Sequence, residues 1–343
     1  MMPTKGADIP GSGELGTRKG QFANGAGPVV SIFIVAYNST DFIDECISAV
    51  AGACTQHSYE ILLVDNGDGS TERLVAERYP DVRIAPSKGN VGFAAGNNLL
   101  AEHARANLYL LLNPDMICQP GAIDALVAGT QAHPDAAAWG GVSLGKDGRP
   151  DTGNALAVPT LHELFSVAMG KSSIGSGVIA GLEEDAEVDV LMGGLVMIRK
   201  SAWDEANGLD ERFFLYCEEV DLFYRLRQKG HKLWRICDAR GVHDAAHGQS
   251  FSPRRQLYRT TGIMEFARHH WSLPAIWLAG LLIWFAAVTR LVAGRLLGWM
   301  KPRLRKLAES NVVVAKRPWL WFHGYHPRRG LLPQLENKKV PGL

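Results

Sequence analysis

The chain has no surplus of charge of either sign: 36 basic residues stand against 35 acidic ones, a formal net charge of +1. A general nucleic-acid binder carries a strongly basic face, so no nucleic-acid partner is expected. Cysteine is sparse and scattered. The five are Cys46, Cys54, Cys118, Cys217 and Cys237, and no two form a C-x-x-C pair. That set builds neither a disulfide framework nor a zinc site. It fits small core residues in a reducing, cytosolic compartment. The opening stretch MMPTKGADIPGSGELGTRKGQFANGAG lacks the apolar h-region of a secretory signal. Residues 1–27 therefore read as a flexible tail.

The texture changes at residue 28. VVSIFIVAYN (29–38), EILLVDN (60–66), VRIAP (82–86) and NLYLLLN (107–113) are short, largely apolar runs with strand character. Between them, STDFIDECISAVAGA, STERLVAERY and GFAAGNNLLAEHARA have helical spacing. That alternation predicts βαβ units and a mostly parallel sheet flanked by helices, an α/β fold. VDVLMGGLVMIRK (188–200) reads as a later strand, and EEVDLFYRLRQKG as a helix with Gly230 near its end. Glu218, Glu219 and Asp221 fall at that helix's N-terminus, where the dipole favours negative charge.

The strand ends carry the functional signal. They read AYN, VDN and NPD. Asn and Asp are common turn formers, but three such ends on one sheet edge suit a polar ligand, because open α/β sheets bind ligands outside the carboxyl ends of their strands. The glycines of GNVGFAAGNN, at 89, 92 and 96, follow the third strand with G-x-x-G-x-x-x-G spacing. A dinucleotide fingerprint needs G-x-G-x-x-G after the first strand, so a nicotinamide enzyme is not expected. These glycines allow close backbone approach, to a ligand or within a tight turn.

The C-terminal part is of another kind. SLPAIWLAGLLIWFAAVT (272–289) has no charge, and Arg290, Arg295 and the cluster KPRLRK follow. That length sits at the short edge of a bilayer span, and the basic cluster suits a cytoplasmic membrane surface. Three regions are expected: a tail (1–27), a main domain (28–270) and an apolar, basic, membrane-associating helical region (271–343). The last would hold the protein at the cytoplasmic face, peripherally or by one C-terminal span. A buried core helix is the competing reading.

Taken in order, SIFIVAYN, EILLVDNGDGST, GNVGFAAGNN, LLLNPD, GGLVMIRKSAWDEANGLDERFFLYCEEVDLFYRLRQKG and GVH resemble the family 2 glycosyltransferases of GT-A fold, and among them the rhamnosyltransferase-like branch. The resemblance spans about residues 29–270. It implies a nucleotide-binding half and an acceptor half around one sheet. It also implies inverting transfer of a sugar from a UDP- or dTDP-sugar to a glycan or polyprenyl-diphosphate-linked acceptor, in envelope or exopolysaccharide synthesis.

The resemblance also distributes roles. Ala36, Tyr37 and Asn38 would line the nucleobase side, and Asp65 would accept from a pyrimidine imide N–H, a role for an acceptor-only carboxylate. Asn90 and Gly92 would touch the donor. The family's Asp-x-Asp metal motif reads Asn113-Pro114-Asp115 here, so one carboxylate is left. Mn²⁺ or Mg²⁺ accepts one or two carboxylates plus phosphate and water, with the Asn113 carbonyl oxygen as a direct or water-bridged addition. His243 would supply a second protein ligand, with His247 as the alternative. The base would be Glu219, with Glu218 the other candidate and Asp221 capping or orienting the helix. Arg259 would grip the diphosphate or serve as a surface ion-pair partner. Two other readings compete. A nucleotidyltransferase would need a basic phosphate-gripping loop that VAYNST does not provide. A non-catalytic sugar-nucleotide-binding module would have no need of the acid cluster or Asp115.

Overall fold

Alternation within the strands builds a sheet that is covered on both faces. In the computed structural model, Ile32, Ile34, Leu63, Leu110 and Met197 enter one buried cluster, while Phe33, Val35, Leu62, Leu111 and Val196 enter the other. Successive residues of a strand point to opposite faces, so runs apolar at every position need a layer of helices on each side. The structure describes residues 27–150, 154, 157–171, 182–243 and 252–336. Residues 1–26 of the expected tail and His247 lie outside them.

The nucleotide-side half is β1 (Val30–Ala36), α1 (Ile43–Ala53), β2 (Tyr59–Asp65), α2 (Ser70–Arg78), β3 (Arg83–Ile84), α3 (Phe93–His103) and β4 (Leu108–Leu112). β3, β2, β1 and β4 lie side by side and parallel. Their carboxyl ends, with Ala36, Asp65 and the residues after Leu112, therefore share one edge.

The chain continues through β5 (Met116–Cys118), α4 (Ala122–Ala132), β6 (Ala136–Leu144), α5 (Leu161–Ala168), β7 (Ala186–Glu187), β8 (Leu195–Arg199), α6 (Lys200–Ala206), α7 (Glu218–Gln228) and β9 (Lys232–His243). The sheet order is β3-β2-β1-β4-β8-β6-β9-β5, with β7 added beside β9. β8 runs antiparallel to both β4 and β6, β6 runs parallel to β9, and β5 and β7 run antiparallel to β9. The sheet is thus parallel on the nucleotide side and mixed beyond it. The run 188–200 is not one strand. Only Leu195–Arg199 pairs as β8, because Gly193 and Gly194 turn the chain before it.

The C-terminal part is α8 (Pro253–His270), α9 (Leu273–Leu297), α10 (Pro302–Lys316), α11 (Pro318–Trp321) and α12 (Leu332–Glu336). The boundary expected at 270/271 falls within one buried cluster. Leu257, Tyr258 and Met264 of α8 pack with Ile276, Ala287, Val314, Trp321 and Tyr325. All five cysteines are free; Cys46, Cys54 and Cys118 are buried core residues, whereas Cys217 and Cys237 are only partly buried.

Candidate active site

One end of the site is set by strand pairing. β5 pairs with β9 so that Met116 faces His243, which brings the preceding Asp115 to the histidine. His243 Nε2 lies 3.2 Å from Asp115 Oδ2, with the two side chains 14% and 32% exposed. Asn113 is fixed through its main chain: its N–H donates to Gly194 O at 3.1 Å, and its carbonyl accepts from Met116 N–H at 3.0 Å. Adjacent ligands of an octahedral ion with bonds of about 2.1 Å sit about 3 Å apart. The imidazole and carboxylate are spaced as such a pair, and Asp115 keeps enough exposure to share an ion with phosphate oxygens. The donor set present fits a divalent cation.

The acid end faces it across the Gly193–Gly194 turn. A Cβ on Gly193 would touch the Glu219 side chain at 3.6 Å, and one on Gly194 would lie 3.0 Å from Asn113 Nδ2. Glu218 is buried and Glu219 half-buried. Oε2 of each has no hydrogen-bond partner among the described residues. Burial raises both carboxyls above the ordinary range. The Glu219 charge pushes Glu218 up further. For Glu219, its own backbone N–H, the Glu218 side chain and the Arg259 charge act in the opposite direction. Two carboxyls this close in a buried place favour holding a proton between them. Glu219 is the less buried of the two. Arg259 is exposed and has no ion-pair or hydrogen-bond partner among the described residues.

The acids are delivered by a strained turn that the sequence reading did not single out. Tyr216 and Cys217 both have left-handed backbones, φ 67° and 71°, at about 1–3 kcal/mol each for non-glycine residues. Two contacts hold the turn. Gly262 of α8 leaves room for it: a Cβ there would lie 2.3 Å from the Tyr216 carbonyl oxygen. Tyr325, after α11, is buried and hydrogen-bonds the Leu215 carbonyl. Neither residue has a local motif. The signal lies in contacts between segments far apart in sequence.

The expected nucleotide contacts form a second group on the same sheet edge. Asn38 turns the chain with φ 51°, a conformation asparagine tolerates. Gly67 backs onto Asn38 Oδ1 and Asp65 Oδ1 together, so the ends of β1 and β2 meet. Tyr37 is 47% exposed and meets Arg254, whose guanidinium lies 5.7 Å from the Tyr258 ring centre. Arg254 and Tyr258 were not anticipated. Asp65 is almost wholly buried and its carboxylate caps the next segment, accepting from the N–H groups of Gly67, Thr71 and Glu72 at 2.7, 3.1 and 3.1 Å.

Asn90 and Gly92 form a third group. Asn90 lines a cavity of about 530 Å³ with Lys88, Glu211 and Phe214. Gly92 has φ +90°, and a Cβ there would lie 2.5 Å from the Phe214 carbonyl oxygen. Its missing side chain makes room for the protein's own backbone, and Phe93 N–H bonds that same carbonyl at 3.0 Å.

Asp221 faces inward. Its carboxylate takes Arg225 Nε at 2.7 Å and His270 Nε2 at 2.7 Å, tying α7 to α8. Ligand atoms of Asp221, Asp210 and His269 lie within 4.8 Å of one another, an acidic group of the size that could hold an ion. Arg212 and Arg225 already occupy its carboxylates, and a cation would have to displace them.

The model of the family described as "Glycosyl transferase family 2" matches residues 31–205, just over half of the chain. The chain belongs to this family. It is a glycosyltransferase. Among its relatives, an N-acetylglucosaminyl-diphospho-decaprenol L-rhamnosyltransferase of Mycobacterium tuberculosis is 28% identical over 274 residues, 73% of this chain and 88% of that protein. Rhamnosyltransferase WbbL of Escherichia coli is 25% identical, covering 64% of this chain and 84% of its own length. The low-salt glycan biosynthesis hexosyltransferase Agl10 of Haloferax volcanii is 26% identical over 88% of this chain and 92% of its own. The fold is that of a mannosyltransferase from Pyrobaculum calidifontis solved with GDP-Man and Mn²⁺, with TM-score 0.53, 15% identity and coverage of 85% and 86%. The GT-A expectation for the sheet and its helices therefore holds. In this glycosyltransferase the structure brings Asn113, Asp115, His243, Glu218 and Glu219 to one place, with Arg259 electrostatically coupled to Glu219. It places Ala36, Tyr37, Asn38 and Asp65 along the neighbouring edge.

Proposed function

We propose that this glycosyltransferase moves a hexose, rhamnose first among the candidates, from UDP or dTDP to a polyprenyl-diphosphate-linked glycan at the cytoplasmic membrane face, with inversion and with Mn²⁺ or Mg²⁺. The observation that carries the chemistry is Glu219 against Gly193, with Asn113 and Met116, which flank Asp115 of the Asp115–His243 pair, against Gly194. The rhamnosyltransferase relatives, one of them named for a decaprenol-linked diphosphate substrate, support the sugar and the acceptor.

In this reading Glu219 accepts the proton of the acceptor hydroxyl. The acceptor oxygen bonds to the anomeric carbon as the carbon–oxygen bond to the diphosphate breaks, and the electron pair leaves with the diphosphate. Glu218, protonated, steadies the Glu219 carboxylate. Arg259 lies free to pair with the departing diphosphate. Asp115 and His243 would hold the divalent ion, with Asn113 assisting, and that ion would supply positive charge to the leaving group. Tyr37, Arg254 and Asn38 frame the nucleoside end, and Asp65 shapes the turn that borders it.

The test is a donor panel with a polyprenyl-diphosphate-linked N-acetylglucosamine acceptor. Transfer from one UDP- or dTDP-deoxyhexose, lost on adding chelator and in Asp115→Ala, is the expected result. A chain that binds and turns over none of the donors would overturn the reading.

A further inference from the structure

α9 is uncharged over its first 17 residues, with mean hydropathy 2.0 in its most apolar window, and only 28% of that window is buried. Its two faces have different fates. One packs tightly on the protein: a Cβ at Gly280 would lie 2.4 Å from the Phe322 ring, and one at Gly294 would lie 2.2 Å from Ala308 Cβ. Arg290 on this helix bonds the Lys171 carbonyl at 3.0 Å, and Trp284 bonds the Ala315 carbonyl at 3.1 Å. The other face is bare. Leu273, Trp277, Leu281 and Phe285, each one turn apart, and then Leu296 are between 46% and 68% exposed. Trp299, just beyond the helix, is 81% exposed. An exposed apolar stripe of this length marks an interaction surface.

We infer that α9 lies flat in the surface of an anionic membrane, its Leu273–Leu296 stripe among the acyl chains and its packed face holding the catalytic domain down. This deepens the proposed membrane-linked acceptor and rests on that reading. Two observations choose the occupant. Arg295 falls on the bare face itself, about five turns beyond Trp277, and Lys301, Arg303 and Lys306 follow at the same end, all exposed. Anionic headgroups match that charge, whereas a second copy of the chain would bring the same basic excess, the one acid of α10, Glu309, being already paired with Arg305. Tryptophan beside basic residues also suits the headgroup level.

The orientation follows from what is packed behind α9. α10 lies along it and exposes Arg303, Arg305, Lys306 and Glu309. Were α9 to cross the bilayer, α10 and the α8 cluster packed with it would be carried into hydrocarbon, where ionised side chains are costly. Lying in the interface satisfies both faces. It also puts the acid-bearing turn, which touches α8 at Gly262 and the C-terminal segment at Tyr325, on the body that sits on the membrane.

The experiment uses the full chain and preformed vesicles of phosphatidylcholine with or without phosphatidylglycerol. Flotation with the anionic vesicles, at least tenfold weakened by high salt and by Trp277→Glu or Leu281→Glu, is the expected result. Those side chains are exposed, so unchanged thermal melting should accompany the loss. Spin labels at Leu273→Cys, Phe285→Cys and Leu296→Cys, read above the parent chain, should report equal depth. A depth that peaks at Phe285 means a span and overturns the inference. So does failure to bind vesicles together with concentration-dependent dimerisation that Leu281→Glu abolishes. Donor hydrolysis in vesicle-free solution is measured in parallel, so loss of the membrane seat and failure of the transferase reading are told apart.

Discussion

The hydroxyl of Tyr325 donates to the main-chain carbonyl of Leu215, 110 positions earlier in the chain. The Tyr258 carbonyl lies 3.2 Å away as a second acceptor. Tyr325 N–H in turn bonds Glu265 Oε2 at 2.6 Å. Burial holds the phenol well above its usual titration range, so it remains a donor. A segment of the C-terminal helical region thereby braces the turn that presents the two glutamates. Tyr325→Phe should leave the Leu215 carbonyl without this donor and cost about 1–3 kcal/mol of stability. If the brace positions the base, kcat should fall severalfold while donor KM stays put. Steady-state kinetics beside a denaturant melt check this, and a fall in stability alone would assign the hydroxyl a purely structural role.

The two glutamates should separate on amide substitution. Glu219→Gln removes the accessible base and should lower kcat by about 10²–10⁴-fold. Glu218→Gln keeps an N–H donor toward Glu219 and should retain activity within about tenfold. If the losses are reversed, the base is Glu218.

The same pair sets a pH dependence. Burial raises the Glu219 carboxyl, so the acid limb of kcat should lie above the usual glutamate value of about 4.3. The Glu218 carboxyl is raised too, by burial and by the Glu219 charge, so its contribution to stability is fully present below the unfolded value. It is lost as pH rises toward the folded one, at about 1.4 kcal/mol per pH unit between the two. Glu218→Gln should therefore melt higher than the parent at pH 8, with the gap closing near pH 4. Melting curves across that range show the trend or its absence.

Much of this site was legible in the sequence because its residues sit at ends of elements. Apolar strands ending in Asn or Asp gave the sheet edge, and the acid run gave a helix start, while the role expected of Glu219 came from likeness to related enzymes. His243 was reached only through likeness to related enzymes. What physically places it is the β5–β9 pairing, with Met116 opposite His243, and strand register across such a distance leaves no local mark. The Tyr216–Cys217 turn was illegible for a related reason: nothing in FFLYCEE announces two left-handed residues, which packing against α8 imposes. Gly92 shows the converse. Its need for a glycine was clear, but the neighbour that fills the space is Phe214, not a ligand.

Metal binding offers an independent check on Asp115 and His243. In His243→Ala, the Mn²⁺ concentration for half-maximal activity should rise about tenfold or more, with kcat partly recovered at saturating metal. Asp115→Ala should not recover. Titration of Mn²⁺ by electron paramagnetic resonance in the presence of nucleoside diphosphate reads the affinity without turnover. Equal affinity in His243→Ala and the parent would remove the histidine from the ligand set. Asp210→Asn probes the other acidic group: it should cost stability through the Arg212 pair and leave the Mn²⁺ affinity unchanged.

Gly262 tests whether the strained turn matters to chemistry. It lies in α8, where alanine has the better helix propensity by about 1 kcal/mol. On propensity alone Gly262→Ala should stabilise the protein. Packing predicts the opposite, because the new methyl would sit 2.3 Å from the Tyr216 carbonyl oxygen and 3.3 Å from Cys217 Cβ. Backbone cannot yield as a side-chain tip does, so the turn must move away from α8 at about 1–3 kcal/mol, and Glu218 and Glu219 move with it. The expected result is a lower melting temperature together with a kcat loss larger than that of Tyr325→Phe, since the methyl displaces the turn whereas the phenylalanine only releases it. A variant that melts higher and turns over normally would show that the turn relaxes without moving the base.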